Sequence, residues 1–346
     1  MKKINRCHAN LVSIFLMAII ILSVTTIIET LNSIEATILA YPCKIIESLC
    51  SLEVSSSQQS KPPPTSSLSD LIALPKYVKS WGGFGIAPGQ FQEPSSIEVS
   101  SAGDVYVAGH EDRIQVFTND GQLKFTFGKS GSGDGEFQHP HGLAMNRKGG
   151  VGEDDVLYAG DQENHRIQVF NANGSFISKF ANPGLQHIHD IGIDPNNGDI
   201  YAPDYELGHL QKLSSTGSVI WIKTGFPQAW GVSVDSEGFT YLAATGNNSL
   251  LKLDPLNGNT LKKISGFNKI TGVYVDRHDL VYAVDAINKN IKIYDTELNL
   301  KGIWDLSTII GGGVETEPED ITISNDDKRI YLAEVNKHTV VYMERN

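Results

Sequence analysis

The chain has 346 residues, with 28 Lys and Arg against 40 Asp and Glu and a formal charge of -12. Residues 1–70 hold five basic and five acidic side chains, so all the excess negative charge lies on residues 71–346. A phosphate backbone is bound by Lys and Arg displacing counterions, so nucleic acid is not an expected partner of this body. Thirty-three glycines beside only four methionines favour a turn-rich β protein over a helical bundle.

Lys2, Lys3 and Arg6 precede an uncharged run from Leu11 to Ile28. As a helix its 18 residues measure about 27 Å, close to the hydrocarbon thickness of a bilayer. Residues 1–30 therefore read as a membrane anchor, basic flank in the cytoplasm and everything after it exported. The alternative is a cleaved signal peptide, with Ala36 or Ala40 near the cut. The body is then single-pass at the cell membrane on the extracytoplasmic side, or secreted if the leader is removed. Cys43 and Cys50 follow the run and no cysteine comes later; a disulfide and two free thiols both remain open. Residues 31–70, rich in Ser, Gln and Pro and carrying Pro62-Pro63-Pro64, read as a disordered, flexible linker.

From residue 71 to 346 the chain repeats. One tyrosine position recurs as Tyr106, Tyr158, Tyr201, Tyr241, Tyr282 and Tyr331. Upstream of each lies an alternating segment, starting at Pro94, Pro140, Ile188, Ala229, Ile270 and Pro318, spaced by 46, 48, 41, 41 and 48 residues. Downstream comes a second alternating segment (RIQVF twice, then HLQKL, LLKL, NIKIY and TVVYM), and in five repeats a further outer one such as LKFTF after Gln122. Period-two alternation broken by Asn-Gly and Thr-Gly clusters means hairpin-linked, half-buried strands. Four such strands per unit of roughly 45 residues predict an all-β, six-bladed β-propeller. The last repeat ends without an outer strand, and Tyr77–Trp81, ahead of the first repeat, matches that missing position. Their pairing would close the ring and remove an open edge.

Trp81–Pro94 (WGGFGIAPGQFQEP) and Phe127–Pro140 (FGKSGSGDGEFQHP) share an aromatic-Gly start, a glycine-rich loop and a Gly-x-Phe-x-x-Pro end. With YAGDQENHRIQVF from Tyr158 to Phe170, they closely resemble the NHL repeat, whose family forms six-bladed propellers. The resemblance implies a binding platform for proteins and, in some members, RNA, with a minority of enzymes. Phe91 and Phe137 are expected to plug the gaps between blades. Asp161, Asp204 and Asp285 are expected to accept turn N–H groups, with Arg113 and Arg166 pairing to such carboxylates. Asp154-Asp155 and Asp326-Asp327 read as solvated hairpin tips. The body has no cysteine and no G-x-S-x-G elbow.

The second residue of each inner strand converges on one channel mouth, as Ser95, His141, His189, Trp230, Thr271 and Glu319. His141, His189 and Glu319 are candidate ligands for zinc or another divalent cation. Asp190 and Asp320 are candidates to orient them, or with Trp230 to touch a ligand; the plainer alternative is a water-filled polar mouth. PHGLAM at Pro140 and DQENHRIQVF at Asp161 also resemble a metal-bearing blade of the peptidylglycine α-amidating lyase propeller. That resemblance implies zinc on His141 and His189. It departs at Glu319, where a third histidine is expected, at Gln162, where the catalytic arginine is expected, and in AGHEDR, which lacks the expected tyrosine. The leading reading is a membrane-tethered, exported module binding a protein, peptide or glycan without a required cofactor. The alternative is a divalent-metal lyase acting on peptidyl α-hydroxyglycine.

Overall fold

Residues 67–147, 155–311 and 316–345 are described by a computed structural model of the chain. The anchor or signal segment, Cys43 and Cys50, and residues 31–66 of the expected linker lie outside the described residues. No helix among the described residues is long and apolar enough to cross a membrane.

The alternating segments form six antiparallel sheets of four strands each. In blade 2 the strands are Pro140–Asn146, Val156–Asp161, Arg166–Asn171 and Phe176–Ala181, from the axis outward. Blade 6 is built from both ends of the body. Lys76–Gly82 pairs with Thr339–Glu344, with Tyr77 opposite Met343 and Trp81 opposite Val340. The expected closure is therefore present, and it covers an edge that would otherwise offer a row of unpaired N–H and C=O groups.

The core is divided among six apolar clusters, each formed where two neighbouring blades meet. Alternation is what makes this possible, because each sheet presents residues to the blade before it and the blade after it. Phe91 and Phe137 are fully buried in two of these seams, the plugging role expected of them. The six repeated tyrosines are buried as well. Several span a seam through the hydroxyl: Tyr106 donates to the Ala172 carbonyl (2.6 Å), Tyr241 to Thr296 (3.0 Å) and Tyr331 to Asn119 (2.7 Å), each in the next blade.

The turn carboxylates behave as expected. Asp161 accepts the N–H of Gln138, Asp204 those of Gln186 and His187, and Asp285 that of Asn268, at 2.7–2.8 Å. Each fixes the segment entering an inner strand against the turn of its own blade. Arg166 pairs with Asp161 at 2.6 Å, but Arg113 donates to the carbonyls of Ile86 and Ala87 instead of a carboxylate.

Three expectations need correction. Asp155 and Asp327 are buried, not solvated: Asp155 accepts the N–H and hydroxyl of Ser101, and Asp327 faces Arg277 and His278 across a seam. Asp154 lies outside the described residues. The end of the expected linker is ordered as a helical turn, Leu68–Ile72, because Ser67 and Asp70 form a reciprocal capping box. Leu71 then buries in the blade 5–6 seam, and the Trp304 indole donates to the Ile72 carbonyl at 2.9 Å. In blade 3 the inner strand is reduced to Gly192–Ile193 and an isolated bridge between Ile188 and Asp204. There the Asp190 carboxylate takes the Ile191 N–H at 2.8 Å.

Candidate metal centre

Every inner strand slips register by one residue just after its first position. Pro140 faces Asp161 while Leu143 faces Ala159, and Ala229 faces Ala244 while Val232 faces Leu242. The same slip occurs in the other blades. Such bulges re-aim side chains. Without the slip, the second residue would point into a seam along with the apolar fourth and sixth; with it, that residue turns to the axis. The repeated bulge thus creates the ring of Ser95, His141, His189, Trp230, Thr271 and Glu319.

The structure brings His141, His189 and Glu319 together, with one donor atom of each within 4.8 Å of the others. His141 is buried, and its Nδ1 lies 2.8 Å from the His189 carbonyl. A carbonyl only accepts, so Nδ1 carries the proton and Nε2 presents its lone pair. That Nε2 sits 3.2 Å from Glu319 Oε1. A ring nitrogen and a carboxylate oxygen at this distance require a proton or a cation between them. His189 is 8% exposed, and neither of its ring nitrogens has a hydrogen-bond partner. Burial, followed by the neighbouring imidazoles, holds its pKa well below the usual histidine range, so the ring is neutral and able to donate a lone pair. Two imidazoles and a carboxylate form a borderline donor set suited to zinc or a similar divalent ion. The anchoring of His141 by a carbonyl is the outer hydrogen bond such ligands normally carry.

Trp230 is half-buried, with its ring 4.2 Å from His189 and 6.1 Å from His141, and Lys269 Nζ lies 5.5 Å over it. Asp190 and Asp320 line the same pocket beside Trp230 and Glu319. They do not orient the histidines, as the sequence had suggested. Asp190 accepts the Val232 N–H at 2.8 Å, and Asp320 accepts the Ile97 N–H and the Ser96 hydroxyl, both at 3.0 Å. Each therefore joins its blade to the next. Burial pushes both carboxyls up, and in Asp190 the nearby Asp320 charge adds to the effect. Nearer the ends of the inner strands, Arg147 meets Glu98 at 2.6 Å, and Tyr274 donates to the Ile323 carbonyl at 3.1 Å.

A second tier of the mouth was not anticipated. His139 and His187 stand two residues ahead of the first ring, and His110 follows the second strand of blade 1, Val105–Gly109. Ring centroids are 3.7 Å apart for His110 and His139, 4.3 Å for His141 and His189, and 5.1 Å for His187 and His189. Burial, then the neighbouring rings, pushes His110 and His139 down to about 4. The signal was present in the sequence as a duplicated Gln-His-x-His, 138–141 and 186–189, at the blade spacing.

No family model matches the chain. Protein brain tumor of Drosophila melanogaster is 32% identical over 145 residues, covering 42% of this chain and 14% of that protein. NHL repeat-containing protein 2 of Gallus gallus is 22% identical, covering 75% of this chain and 47% of its own length. NHL repeat-containing protein 3 of Homo sapiens is 28% identical over 105 residues, 29% of this chain and 28% of that protein. The chain thus spans less than half the length of these relatives. Among solved structures, a streptogramin B lyase superposes with a TM-score of 0.55 at 13% identity, covering 78% of this chain and 98% of that one. A catalytically inactive virginiamycin B lyase from Staphylococcus aureus gives 0.55 at 11%, covering 75% and 82%. At these identities the likeness is one of fold.

Proposed function

We propose that this chain, a homologue of NHL-repeat proteins folded as a six-bladed propeller, is a protein- or peptide-binding module whose working surface is the histidine-lined mouth. His141, His189 and Glu319 would hold one divalent cation there, and three protein donors leave a position open to a Lewis-basic group of the ligand. The observation that carries the reading is the convergence of these three donors within 4.8 Å around an imidazole, His189, that is buried with both nitrogens unpartnered. A buried polar group is normally hydrogen-bonded, so an orphaned one aimed into a pocket calls for a partner. Trp230 and the ring of Tyr205, 5.5 Å apart, offer an aromatic wall beside the cation. The proposal keeps the body exported and tethered through the apolar run 11–28, a placement tested by adding protease to intact cells.

The test is metal analysis of the full chain prepared without chelators. One equivalent of zinc or a similar ion is expected, lost in His189→Ala, with selected peptide ligands released by chelator. A chain that takes up no divalent transition metal at micromolar concentration refutes the reading. The metal-lyase alternative shares the same three donors and requires in addition that the loaded chain release glyoxylate from a model hydroxyglycine peptide. With Gln162 where that resemblance expects an arginine, no release is the expected outcome.

A further inference from the structure

We propose that Asn173 is a site of N-linked glycosylation, and that Asn247, which opens the other Asn-x-Ser sequence of the chain, is not. The inference rests on the exported placement proposed above, since such sequences act as sugar acceptors in secreted chains.

Both sequences meet the acceptor pattern, Asn173-Gly174-Ser175 and Asn247-Asn248-Ser249, with no proline between. The fold treats them differently. Asn173 stands in the hairpin between the third strand of blade 2, Arg166–Asn171, and the outer strand Phe176–Ala181. The Gly174 N–H donates to the Asn171 carbonyl at 2.9 Å and the Asn171 N–H to the Ser175 carbonyl at 3.0 Å, which closes the turn. Gly174 has a φ of +82°, and a Cβ there would lie 2.6 Å from the Phe127 ring of blade 1, so the middle residue packs inward. Asn173 and Ser175 are exposed. The Ser175 N–H is shared between Asn171 Oδ1 at 2.9 Å and Asn173 Oδ1 at 3.0 Å, and the Ser175 hydroxyl donates to that same Asn173 oxygen at 2.7 Å. A backbone N–H only donates, so it identifies the oxygen end of the amide. Both bonds fall on that oxygen, and neither uses Nδ2, the atom that takes the sugar.

Asn247 ends the short helical turn Thr245–Asn247 of blade 4. Its own side chain is exposed, but Ser249 is fully buried. The Ser249 hydroxyl donates to the Asn247 backbone carbonyl at 2.8 Å and lies 3.3 Å from the Ser265 hydroxyl, so it is withdrawn from an enzyme that must read it. Position on the sheet separates the two as well. Asn171 pairs with Val156, at the end of blade 2 away from Pro140 and Asp161, so a sugar on Asn173 stands on the face opposite the histidines. Ala244 pairs with Ala229, so a sugar on Asn247 would stand at the mouth. In the reaction, Nδ2 attacks C1 of a sugar carried on a polyisoprenyl phosphate or diphosphate. The C1–O bond breaks, its electron pair leaves on the phosphate, and one amide proton passes to a base of the transferase.

The experiment is tandem mass spectrometry of trypsin-digested full-length chain, isolated from the cells that produce it. Cleavage after Arg166 and Lys179 releases residues 167–179 with Asn173, and cleavage after Lys223 and Lys252 releases residues 224–252 with Asn247. A saccharide mass is expected on the first peptide and none on the second. The intact glycopeptide is read, because Asn-Gly deamidates on its own and would imitate enzymatic release of a sugar. Asn173→Gln and Ser175→Ala should each lose the sugar entirely, while Ser175→Thr, which keeps the hydroxyl, should retain it; thermal melts verify that each variant is folded. Bare Asn173 in a chain that is degraded when protease is added to intact cells overturns the inference and leaves export standing. Bare Asn173 in a chain that the protease cannot reach overturns both. A sugar on Asn247 in place of Asn173 shows export and overturns the inference.

Discussion

Gly142 follows His141 at a close backbone approach between blades 2 and 3, and it offers a direct test of whether the bulged inner strands hold the metal donors in register. A Cβ placed there would lie 2.4 Å from the Asp190 Cα, 2.7 Å from its carbonyl carbon and 2.9 Å from its nitrogen. All three are backbone atoms, so no rotamer relieves the clash. Ordinary carbon contacts begin at about 3.5 Å, so Gly142→Ala must part the two strands by about 1 Å. Overpacking of this kind costs about 1–3 kcal/mol, and for a body of this size Tm falls by about 2–4 °C per kcal/mol. Because Gly142 adjoins His141 and Asp190 adjoins His189, the same displacement spreads two metal donors well beyond the tolerance of about 0.2 Å that such sites allow. Gly231→Ala is the matched control. Its Cβ would meet the Thr271 oxygen at 2.3 Å and the Val273 nitrogen at 2.8 Å, between blades 4 and 5, where neither strand carries a metal donor. Scanning calorimetry should therefore show both variants melting about 2–12 °C early, while a competitive zinc titration shows a loss of affinity, about tenfold or more, in Gly142→Ala alone. Equal affinity losses in the two variants, or none in a destabilised Gly142→Ala, would refute the link between strand approach and donor geometry.

Phe137, fully buried and 5.5 Å from the Phe170 ring, should cost about 3–5 kcal/mol on truncation to Ala by urea unfolding; a loss below about 1 kcal/mol would remove its role as a seam plug. A chain started after Gly82 leaves Thr339–Glu344 with an open edge, and light scattering should find it associated or aggregated; a monomer melting at the temperature of the full chain argues against ring closure by that strand. Burial holds the Asp235 carboxyl above its ordinary value, despite bonds from the Tyr241 hydroxyl and the Phe239 and Glu237 N–H groups. A raised carboxyl stays protonated in the fold where the unfolded chain has already ionised, so its contribution to stability declines as pH rises through that window. The cost of Asp235→Asn should therefore shrink between about pH 4 and about pH 7; a cost that grows over that range reverses the sign.

The blades were legible because their information is local. Alternation, hairpin glycines and the recurring tyrosine each act within a few residues, and six copies of each reinforced the count. The closing strand was legible for a related reason, since an outer strand was missing at one end of the repeat and present at the other. Asp155 and Asp327 were misread because a hairpin tip that is exposed in one blade is covered by the next, and the partners Ser101 and Arg277 come from neighbouring repeats. Asp190 and Asp320 were misplaced for the same reason, their hydrogen bonds crossing to Val232 and Ile97. The convergence of His141, His189 and Glu319 followed from equivalence of register alone. His139 and His187 lie ahead of the inner-strand register, where strand alternation says nothing about them, and only the duplicated Gln-His-x-His marks them.

The bulge explains how so regular a scaffold carries so irregular a site. The fourth residue of each inner strand faces a seam, and across the six blades it is Ile97, Leu143, Ile191, Val232, Val273 and Ile321, apolar in every case and buried. Packing dictates that uniformity, since a polar group there would cost its full desolvation. The second residue, turned to the axis by the register slip, escapes the seam and its volume constraint. There the six blades carry a hydroxyl, two imidazoles, an indole, another hydroxyl and a carboxylate. Six seams fix the height and direction of these side chains, and none fixes their chemistry. It follows that exchanging His141 with the Thr271 of the opposite side should leave the fold intact while dispersing the donor set. A double variant, His141→Thr with Thr271→His, is expected to melt within about 2–4 °C of the parent and to lose zinc affinity by at least about tenfold. Retention of zinc by that variant would show that the imidazole count, and not its placement on adjacent blades, governs binding.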